Sequence, residues 1–291
     1  MKVFITGATG FVGIPTIKEL MFRKHQPLAL VRGKDQASKI SGLHGVKTVI
    51  GDFSDTAKYR AALRRFQPDG SIHLAWEGIP DDSQKIALKN ISGSMMLFEE
   101  LRASGVKKVI GIGSCREYGD PQGKLDESSS ISSPYNMLYA AKAHLYLLAA
   151  EFFRKSGIDF IWARPFYIYG PGQRLGSLIP STIRAFNSGK EPEIKDKHAA
   201  HDFIFVDDVA RAIVDILEKH RGYHSGVYNV GTGKLTSVRE IVAMVYGRDV
   251  AVAATERKKG FFADPSLIKK EIGWRPQMTI AKGIKATLDF Y

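Results

Sequence analysis

Hydrophobic residues of this chain fall into short continuous runs that alternate with longer segments of helical spacing. The first run, Val3 to Ile5, lies almost at the N-terminus and is typical of a strand buried in a parallel sheet. Apolar positions between 11 and 21 then recur at helical spacing. The same patterns predict strands at 28–31, 46–50, 71–75, 106–112 and 158–163, and long amphipathic helices at 83–104 and 135–156. Strands and helices that alternate in this way indicate βαβ units and therefore an α/β fold with a doubly wound parallel sheet.

The pattern changes after Arg164-Pro165, where strands become fewer. The sequence predicts a turn-rich loop at 169–173, a helix at 178–187, a strand at 203–206 leading into a helix capped by Asp207, a strand and turn at 227–233, and final helices at 237–246 and 280–291. We therefore predict a main domain over 1–165 and a smaller C-terminal α/β lobe over 166–291. Segments near 201–232 are expected to return to the main domain.

Three glycines separate the first strand from the first helix. Gly7, Gly10 and Gly13 follow one another at intervals of three, a G-x-x-G-x-x-G spacing. Glycine has no Cβ, so a pyrophosphate can approach the backbone closely, and the helix N-terminus favours an anion. A strand, a glycine turn and a helix in this order predict a Rossmann-type dinucleotide-binding domain. A glycine-rich turn without a ligand is the alternative.

Arg32 stands where the second strand is expected to end. An acidic residue there binds the ribose of NAD, whereas an arginine accommodates the 2′-phosphate of NADP. Arg32-Gly33-Lys34 supplies two cations before the first carboxylate, Asp35. The sequence therefore favours NADP(H), with NAD(H) possible and a solvated loop charge as the alternative. After the third strand, Asp52 could accept from the adenine amino group, or Asp55 could cap the next helix.

Composition narrows the class of protein. The chain has 291 residues with 44% hydrophobic content, and no apolar run approaches the roughly 18 residues of a membrane span. A strand begins at once, so we expect no signal peptide, and the single Cys115 suits a reducing, cytoplasmic compartment. The net charge of +12 is dispersed, which favours anionic ligands over nucleic acid. We predict no metal site and no membrane partner.

Several landmarks together resemble the extended short-chain dehydrogenase/reductase family, the NAD-dependent epimerases and dehydratases that modify nucleotide-linked sugars. They are Thr6–Gly13, Gly51-Asp52, His73–Ala75, Asn90, Ser114 four residues before Tyr118-Gly119, Lys142, Arg164-Pro165, Tyr169–Gly172, Asp202–Asp208, Asn229–Gly233 and Gly273–Pro276. They run through nearly the whole chain. The Gly-Ser-Cys-Arg-Glu-Tyr-Gly motif is similar to that of reductases, and related dehydratases, that act on 4-keto-deoxyhexose nucleotides.

The resemblance implies a catalytic set. In the family, a Tyr hydroxyl transfers a proton at a sugar carbon while nicotinamide exchanges a hydride with it. A Lys holds the nicotinamide ribose and lowers the pKa of that Tyr, and a Ser or Thr binds the substrate oxygen. Ser114 and Lys142 match the last two positions. Their alternatives are a turn cap for Ser114 and a solvated helix face for Lys142.

The resemblance also implies the binding residues and the partners. The cofactor set is Gly7, Thr9, Gly10, Phe11, Val12, Gly13, Arg32, Asp52, Phe53, Leu74, Ala75, Lys142 and Pro165. The substrate set is Asn90, Ser114, Glu117, Tyr135, Tyr167, Gln173, His201 and Arg257. The implied substrate is a nucleotide-diphosphate sugar held by the C-terminal lobe. Relatives form a homodimer through the helices that correspond to 83–104 and 135–156.

The chain departs from the family at the catalytic tyrosine. That residue stands four positions before the lysine, so that both lie on one helical face, but Leu138 occupies the position here. Tyr139 lies three residues before Lys142 and Tyr135 seven before it. A tightened 3₁₀ turn would bring Tyr139 into line with Lys142. We favour Tyr139 as the acid/base, with Tyr135 or no phenol as alternatives.

Two further departures bear on substrate and reaction. His201 replaces the family's usual arginine, which contacts the substrate diphosphate, and Lys195, Lys197 or Arg257 could compensate. Dehydratases of the family usually carry an Asp-Glu pair directly after the Ser or Thr, where this chain has Cys115 and Arg116. The sequence therefore favours NADPH-dependent reduction of a 4-keto-deoxyhexose nucleotide. The alternatives are a 4-epimerase with tightly bound cofactor and a non-catalytic NADP(H)-binding protein.

Overall fold

The computed structural model describes residues 1–79, 81–131, 134–192, 194, 196, 198–220, 226–248 and 258–291. In these ranges the strands are, in chain order, β1 (Lys2–Thr6), β2 (Gln26–Val31), β3 (Lys47–Ile50), β4 (Gly70–His73), β5 (Lys108–Ile112), β6 (Gly123–Leu125), β7 (Asp159–Pro165), β8 (Tyr167–Tyr169), β9 (Ala200–His201), β10 (Phe203–Phe205), β11 (Gly226–Val230), β12 (Thr236–Ser237) and β13 (Phe261–Ala263).

The described helices lie between these strands along the chain and after the last of them. They are α1 (Gly13–Phe22), α2 (Lys34–Ser38), α3 (Arg60–Phe66), α4 (Gln84–Ala103), α5 (Met137–Ser156), α6 (Leu178–Asn187), α7 (Val206–Lys219), α8 (Val238–Tyr246), α9 (Ser266–Ile272) and α10 (Ile280–Leu288). Short 3₁₀ helices occupy Thr56–Lys58 and Cys115–Tyr118. Among the described helices, none is both long and apolar enough to cross a bilayer.

Seven parallel strands form the central sheet in the order β11-β7-β5-β4-β1-β2-β3. The strand order reverses beside β1, which is where a doubly wound sheet leaves a crevice at the carboxyl ends of its strands. The predicted α/β fold with a Rossmann-type parallel sheet is therefore confirmed.

Strand alternation divides the core into two layers. In β1, Val3 and Ile5 face a cluster that includes residues of α1, α7 and α9, while Phe4 faces the cluster formed with α3, α4 and α5. Both layers are apolar, as expected for parallel strands covered by helices on both faces. The sheet is thus a rigid platform for residues at its carboxyl edge.

The second half adds three two-stranded sheets: β8 with β10, β9 with β12, and β6 with β13. A separate apolar cluster joins β8 and β10 to α6, α8 and α10. Of the segments near 201–232, β11 joins the main sheet, whereas β9 and β10 pair outside it. The predicted cap by Asp207 is wrong, because α7 already begins at Val206 and Asp207 lies inside its first turn.

Candidate active site

The glycine turn after β1 is packed too tightly for side chains. Gly7 has a φ of 70°, and a Cβ there would lie 2.7 Å from the backbone nitrogen of Ala75. A Cβ on Gly13 would lie 2.0 Å from the Gly7 carbonyl oxygen. Gly10 closes the turn by donating its N–H to the same oxygen at 3.0 Å. Only glycine therefore allows β1, the turn and the start of α1 to approach the end of β4 this closely.

A cleft of about 600 Å³ opens at this turn, a size suited to a cofactor. Most of the predicted cofactor residues line it, namely Gly7, Thr9, Gly10, Phe11, Val12, Gly13, Arg32, Phe53, Leu74, Ala75, Lys142 and Pro165. Asp52 does not belong to this lining set; its carboxylate accepts from the Ser54 N–H at 2.9 Å and the Ser54 hydroxyl at 2.6 Å. The bare backbone at the turn and the size of the cleft fit a dinucleotide.

One end of the cleft is basic. Arg32 follows β2 directly, and Lys39 follows α2; both line the cleft together with Gln36. Sequence reasoning named Arg32 but missed Lys39 and Gln36, which the short helix α2 brings to the same wall. Two cations at the end of the second strand can pair with a phosphate.

Lys142 projects from α5 to the carboxyl end of β5. Its Nζ donates to the carbonyl oxygen of Ile112 at 2.9 Å and approaches that of Gly113 at 3.5 Å. The amine also lies 4.9 Å from the centre of the Trp76 ring. Burial lowers the pKa of Lys142 to about 8, against an opposing attraction from Glu117. The amine is therefore fixed at the cleft wall and does not lie on a solvated helix face.

Trp76 is a cleft residue that sequence reasoning missed. It lies three residues after the last residue of β4, and its buried Nε1 has no hydrogen-bond partner among the described residues. An unpaired buried donor is costly in a folded protein. A ligand in the cleft can supply the missing acceptor. Its position at the carboxyl end of a strand was the signal that could have identified it.

Ser114 begins the loop after β5. Its Oγ accepts the Arg116 N–H at 3.2 Å, and its own N–H donates to the Glu117 carboxylate at 2.7 Å. Ser114 thus caps the 3₁₀ helix Cys115–Tyr118. The cap fixes the Ser114 side chain just after β5, near the carbonyl groups that accept from Lys142. A hydroxyl that accepts in a cap can still donate its hydrogen to a substrate oxygen.

Glu117 requires a correction. Its carboxylate is fully buried, accepts from Arg164 Nε at 2.8 Å, and lies 3.1 Å from the Trp162 Nε1 through each oxygen. A carboxylate with these partners faces the interior, so the expected substrate contact is wrong.

Asn90 also makes its hydrogen bonds inside the protein. Its Oδ1 accepts the Glu77 N–H at 2.8 Å, and its Nδ2 donates to the carbonyl oxygens of Glu77 and Ile86 at 3.1 and 2.9 Å. The side chain is fully buried. We therefore replace the expected substrate contact by a positioning role, because Asn90 fastens the loop that carries Trp76 to α4.

Tyr135, Leu138 and Tyr139, at or just before the start of α5, differ in how deeply their side chains are buried. Asn136 caps the helix, so Tyr135 precedes it and is 57% exposed. Leu138 is buried. Tyr139 lies in the first turn of a regular α-helix, so no 3₁₀ turn brings it into line with Lys142. Burial raises the pKa of the Tyr139 phenol, while Arg116 partly opposes the rise.

Tyr167 and His201 lie together in the C-terminal half. Their rings stack with centroids 4.0 Å apart, and both the Tyr167 hydroxyl and the His201 Nδ1 are buried without a partner among the described residues. Burial, assisted by Arg116, lowers the pKa of His201 to about 4. Gln173 uses its amide to hold the Ile168 carbonyl oxygen at 2.9 Å.

The cations that could compensate for His201, namely Lys195, Lys197 and Arg257, lie outside the described residues. Within the described ranges, no group of three or more His, Cys, Asp or Glu side chains is arranged to hold a metal ion.

Comparison with known proteins agrees with this geometry. The chain is 28% identical over 320 residues to a UDP-glucose 4-epimerase of Mycolicibacterium smegmatis. The match covers 100% of this chain and 98% of that protein. It is 26% identical over 319 residues to a trifunctional UDP-glucose 4,6-dehydratase/UDP-4-keto-6-deoxy-D-glucose 3,5-epimerase/UDP-4-keto-L-rhamnose-reductase of Arabidopsis thaliana. That match covers 100% of the chain but only 47% of the relative.

Solved structures show the same fold. A dTDP-glucose 4,6-dehydratase from Bacillus anthracis, in complex with NAD, superimposes with a TM-score of 0.85 at 20% identity, covering 100% of this chain and 96% of the other. The parallel sheet and the glycine-lined cleft at its carboxyl edge define a Rossmann-type fold. The model of the NAD dependent epimerase/dehydratase family matches residues 3–231, and the chain belongs to that family.

Proposed function

We propose that this chain is an NADPH-dependent reductase that acts on the 4-keto group of a deoxyhexose nucleotide. The observation that carries the proposal is the cleft itself, whose lining combines the cations Arg32 and Lys39 with the amine of Lys142 fixed at the end of β5. The basic wall suits the 2′-phosphate of NADP. NADP is the cofactor expected of an enzyme that consumes a reductant, although NAD(H) fits the same glycine turn.

Three residues in the loop after β5 and in α5 can assist such a reduction. Bound NADPH supplies a hydride, which would add to C4 of the sugar. In our proposal the Ser114 hydroxyl binds the keto oxygen, and Tyr139 gives that oxygen its proton. Lys142 would hold the nicotinamide ribose. The hydride and the proton together convert the carbonyl to an alcohol.

Two neighbours of Ser114 disfavour dehydration. Elimination of water from C5 and C6 needs an acid and a base beside the sugar. Cys115 is 2% exposed, and burial raises the pKa of its thiol. Arg116 is a cation that cannot exchange a proton near neutral pH. Reduction therefore suits this loop better than 4,6-dehydration.

A 4-epimerase is the second candidate. It is favoured by the match along the full length of the UDP-glucose 4-epimerase of Mycolicibacterium smegmatis. An epimerase would keep its cofactor bound and use the hydride twice, with no net redox change. A cofactor that survives purification and equal interconversion of two 4-epimers would favour this function.

A non-catalytic NADP(H)-binding protein is the candidate from another class. It is favoured by Leu138, whose buried side chain occupies the family's tyrosine position. This function predicts binding of NADP(H) without turnover of any nucleotide sugar.

We also propose a homodimer through α4 and α5. These two helices pack against each other and leave large apolar side chains in solvent, namely Leu88, Met96, Leu147 and Leu148 at 58, 45, 59 and 50% exposure. Large apolar side chains exposed on two neighbouring helices suit a protein–protein interface. The mass of the chain in solution tests this part of the proposal.

The central experiment is an assay of NADPH oxidation. Purified protein is mixed with NADPH and with UDP- or dTDP-4-keto-6-deoxyglucose, and the absorbance of NADPH and the sugar product are followed together. We expect one NADPH oxidised per ketosugar reduced. Binding of NADPH without oxidation, with every ketosugar tried, would contradict the proposed reductase.

A further inference from the structure

The Trp76 indole and the Lys142 amine meet at the wall of the cleft. Both side chains line the cleft, and the Lys142 Nζ lies 4.9 Å from the centre of the Trp76 ring. The face of an aromatic ring attracts a cation at this distance, most strongly when the pair is shielded from water. Lys142 is only 9% exposed, so the contact is largely shielded from solvent.

Few other groups stabilise the charge of Lys142. Its Nζ donates to one carbonyl oxygen at the end of β5 at 2.9 Å and lies 3.5 Å from a second. In the described part of the chain no carboxylate forms an ion pair with this amine, and Glu117, whose charge attracts it, is paired with Arg164. The Trp76 face is therefore a principal stabilising contact of a buried cation.

The loop that carries the indole is anchored through its backbone. The next residue, Glu77, exchanges two hydrogen bonds with the Asn90 side chain, at 2.8 and 3.1 Å. The ring itself packs against the apolar layer that contains α3, α4 and α5, and its buried Nε1 has no partner among the described residues. The orientation of the ring toward Lys142 thus follows from packing and from the anchored loop, and not from a hydrogen bond of the indole.

An aromatic face suits a lysine that has to bind a cofactor. An ammonium group has three N–H donors, so at least one remains for a ribose hydroxyl after the contacts with the end of β5. A carboxylate in place of Trp76 would accept that donor and would repel the phosphates of a dinucleotide. A neutral ring stabilises the charge and does neither.

We propose that Trp76 is a positioning residue that keeps the Lys142 amine protonated and fixed at the cofactor site. The inference rests on the proposed function, in which Lys142 holds the nicotinamide ribose. Loss of the aromatic face should lower the pKa of Lys142 further, so that cofactor binding weakens at a lower pH than in wild type. Burial already lowers this pKa to about 8, which places the change in a measurable range.

Two other titratable side chains interact with the charge of Lys142. They are His73 in β4 and Glu117 in the 3₁₀ helix after β5. Burial, assisted by Lys142, lowers the pKa of His73 to about 3, and Glu117 pairs with Arg164 at 2.8 Å. Both groups remain in Lys142→Met, as does the phenol of Tyr139, three residues before the lysine. A pH step that any of them causes would therefore persist in that variant.

The first test follows the tryptophan emission of the ligand-free protein from about pH 6.5 to 10, a range that spans the lowered pKa of Lys142. An ammonium group against the indole alters its emission, so we expect a step in wild type that is absent from Lys142→Met and from Trp76→Phe. The buried Trp162 and Trp274 remain in all three proteins as a common background. A step of wild-type size in Lys142→Met would overturn the inference.

The second test measures NADPH affinity by calorimetry over the same pH range. In Trp76→Leu the pH at which affinity falls should move down by about 0.5 to 1.5 units, which is a shielded cation–π contact expressed as a pKa change. Trp76→Phe keeps a smaller aromatic face and should move less in the same direction, whereas Lys142→Met should lack the step. Phe22→Leu removes a ring that is 82% exposed on α1 and should match wild type.

The remaining outcomes separate this inference from the proposed function. A loss of affinity that is equal at every pH would make Trp76 a packing residue only and would overturn the inference. If Trp76→Leu does not fold, the direction of the shift in Trp76→Phe decides. The expected shift without turnover of any ketosugar would support the inference and contradict the reductase. A wild-type chain that binds neither NADPH nor NADH would contradict the proposed function, and the emission step would still decide whether Trp76 contacts a titrating Lys142.

Discussion

The Arg164 guanidinium and the Glu117 carboxylate meet 2.8 Å apart inside the protein, where their side chains are 2% and 0% exposed. Glu117 also accepts from the Ser114 N–H at 2.7 Å. Arg164 comes from β7 and Ser114 follows β5, two strands that pair in the central sheet. The buried ion pair therefore fixes the loop that positions Ser114 beside the cleft.

Breaking this pair should destabilise the chain. Glu117→Gln keeps the shape of the side chain but leaves Arg164 charged and uncompensated, which costs about 3–5 kcal/mol in buried pairs. We expect a loss of that order in the free energy of unfolding, measured with urea. Glu99→Gln, which removes an exposed pair with Arg102, should change it by less than about 1 kcal/mol. Equal stability of the two variants would contradict the structural role of Glu117.

Lys142 should contribute to function at the expense of stability. Lys142→Met removes the buried amine and keeps a long apolar side chain. We expect turnover to fall by about 100-fold, because the side chain proposed to hold the nicotinamide ribose is lost and the cofactor is then misplaced, while the protein remains folded. Lys155→Met, on an exposed side chain 70% accessible at the end of the same helix, is the control and should keep full activity.

The stability of Lys142→Met should also depend on pH in a defined direction. Burial lowers the pKa of Lys142 from 10.5 to about 8, so the unfolded state binds more protons between these values and stability rises with pH. The cost of the buried charge is full below pH 8 and is lost toward pH 10.5. The stability of Lys142→Met relative to wild type should therefore fall as the pH rises from 7 to 10.5. A constant difference would contradict the low pKa.

Tyr139 is tested by conservative substitution. Tyr139→Phe removes the proposed proton donor, and we expect kcat to fall by about 100- to 10,000-fold with little change in NADPH affinity. Tyr135→Phe keeps the ring over Arg116 and should retain most of the activity. If Tyr139→Phe is fully active, Tyr139 is not the proton donor. If Tyr135→Phe alone is inactive, the acid is Tyr135.

Local spacing was enough to predict the fold and most of the residues that line the cleft. The strand before Gly7 and the helix after it are close in sequence, and the tight turn between them depends on backbone geometry at the glycines. The pairing of the short strands β10 and β11 could not be predicted in this way. Both are brief apolar runs, and only the tertiary packing decides that β11 joins β7 while β10 joins β8.

The substrate side was harder to predict because its contacts link distant parts of the chain. Glu117 reads as a polar loop residue until Arg164, 47 positions later, is brought against it. Arg116 reads as an ordinary surface cation, yet Tyr167 and Phe261 enclose it from two different strands. Sequence spacing cannot reveal such partners.

Cofactor preference is the remaining test, and Arg32 is the residue to change. Arg32→Ser removes one of the two cations at the basic wall of the cleft and leaves Lys39 in place. We expect about 10-fold or greater loss of NADPH affinity, in line with the loss of a charge-assisted hydrogen bond, and little change for NADH.

Trp76 lines the same cleft, whereas Trp162 and Trp274 are each 1% exposed, so quenching of Trp76 fluorescence provides the binding signal. Trp76→Phe should remove most of that signal and thereby check its source. Equal losses for NADPH and NADH in Arg32→Ser would show that Arg32 does not read the 2′-phosphate, and the preference for NADP would then have to be abandoned.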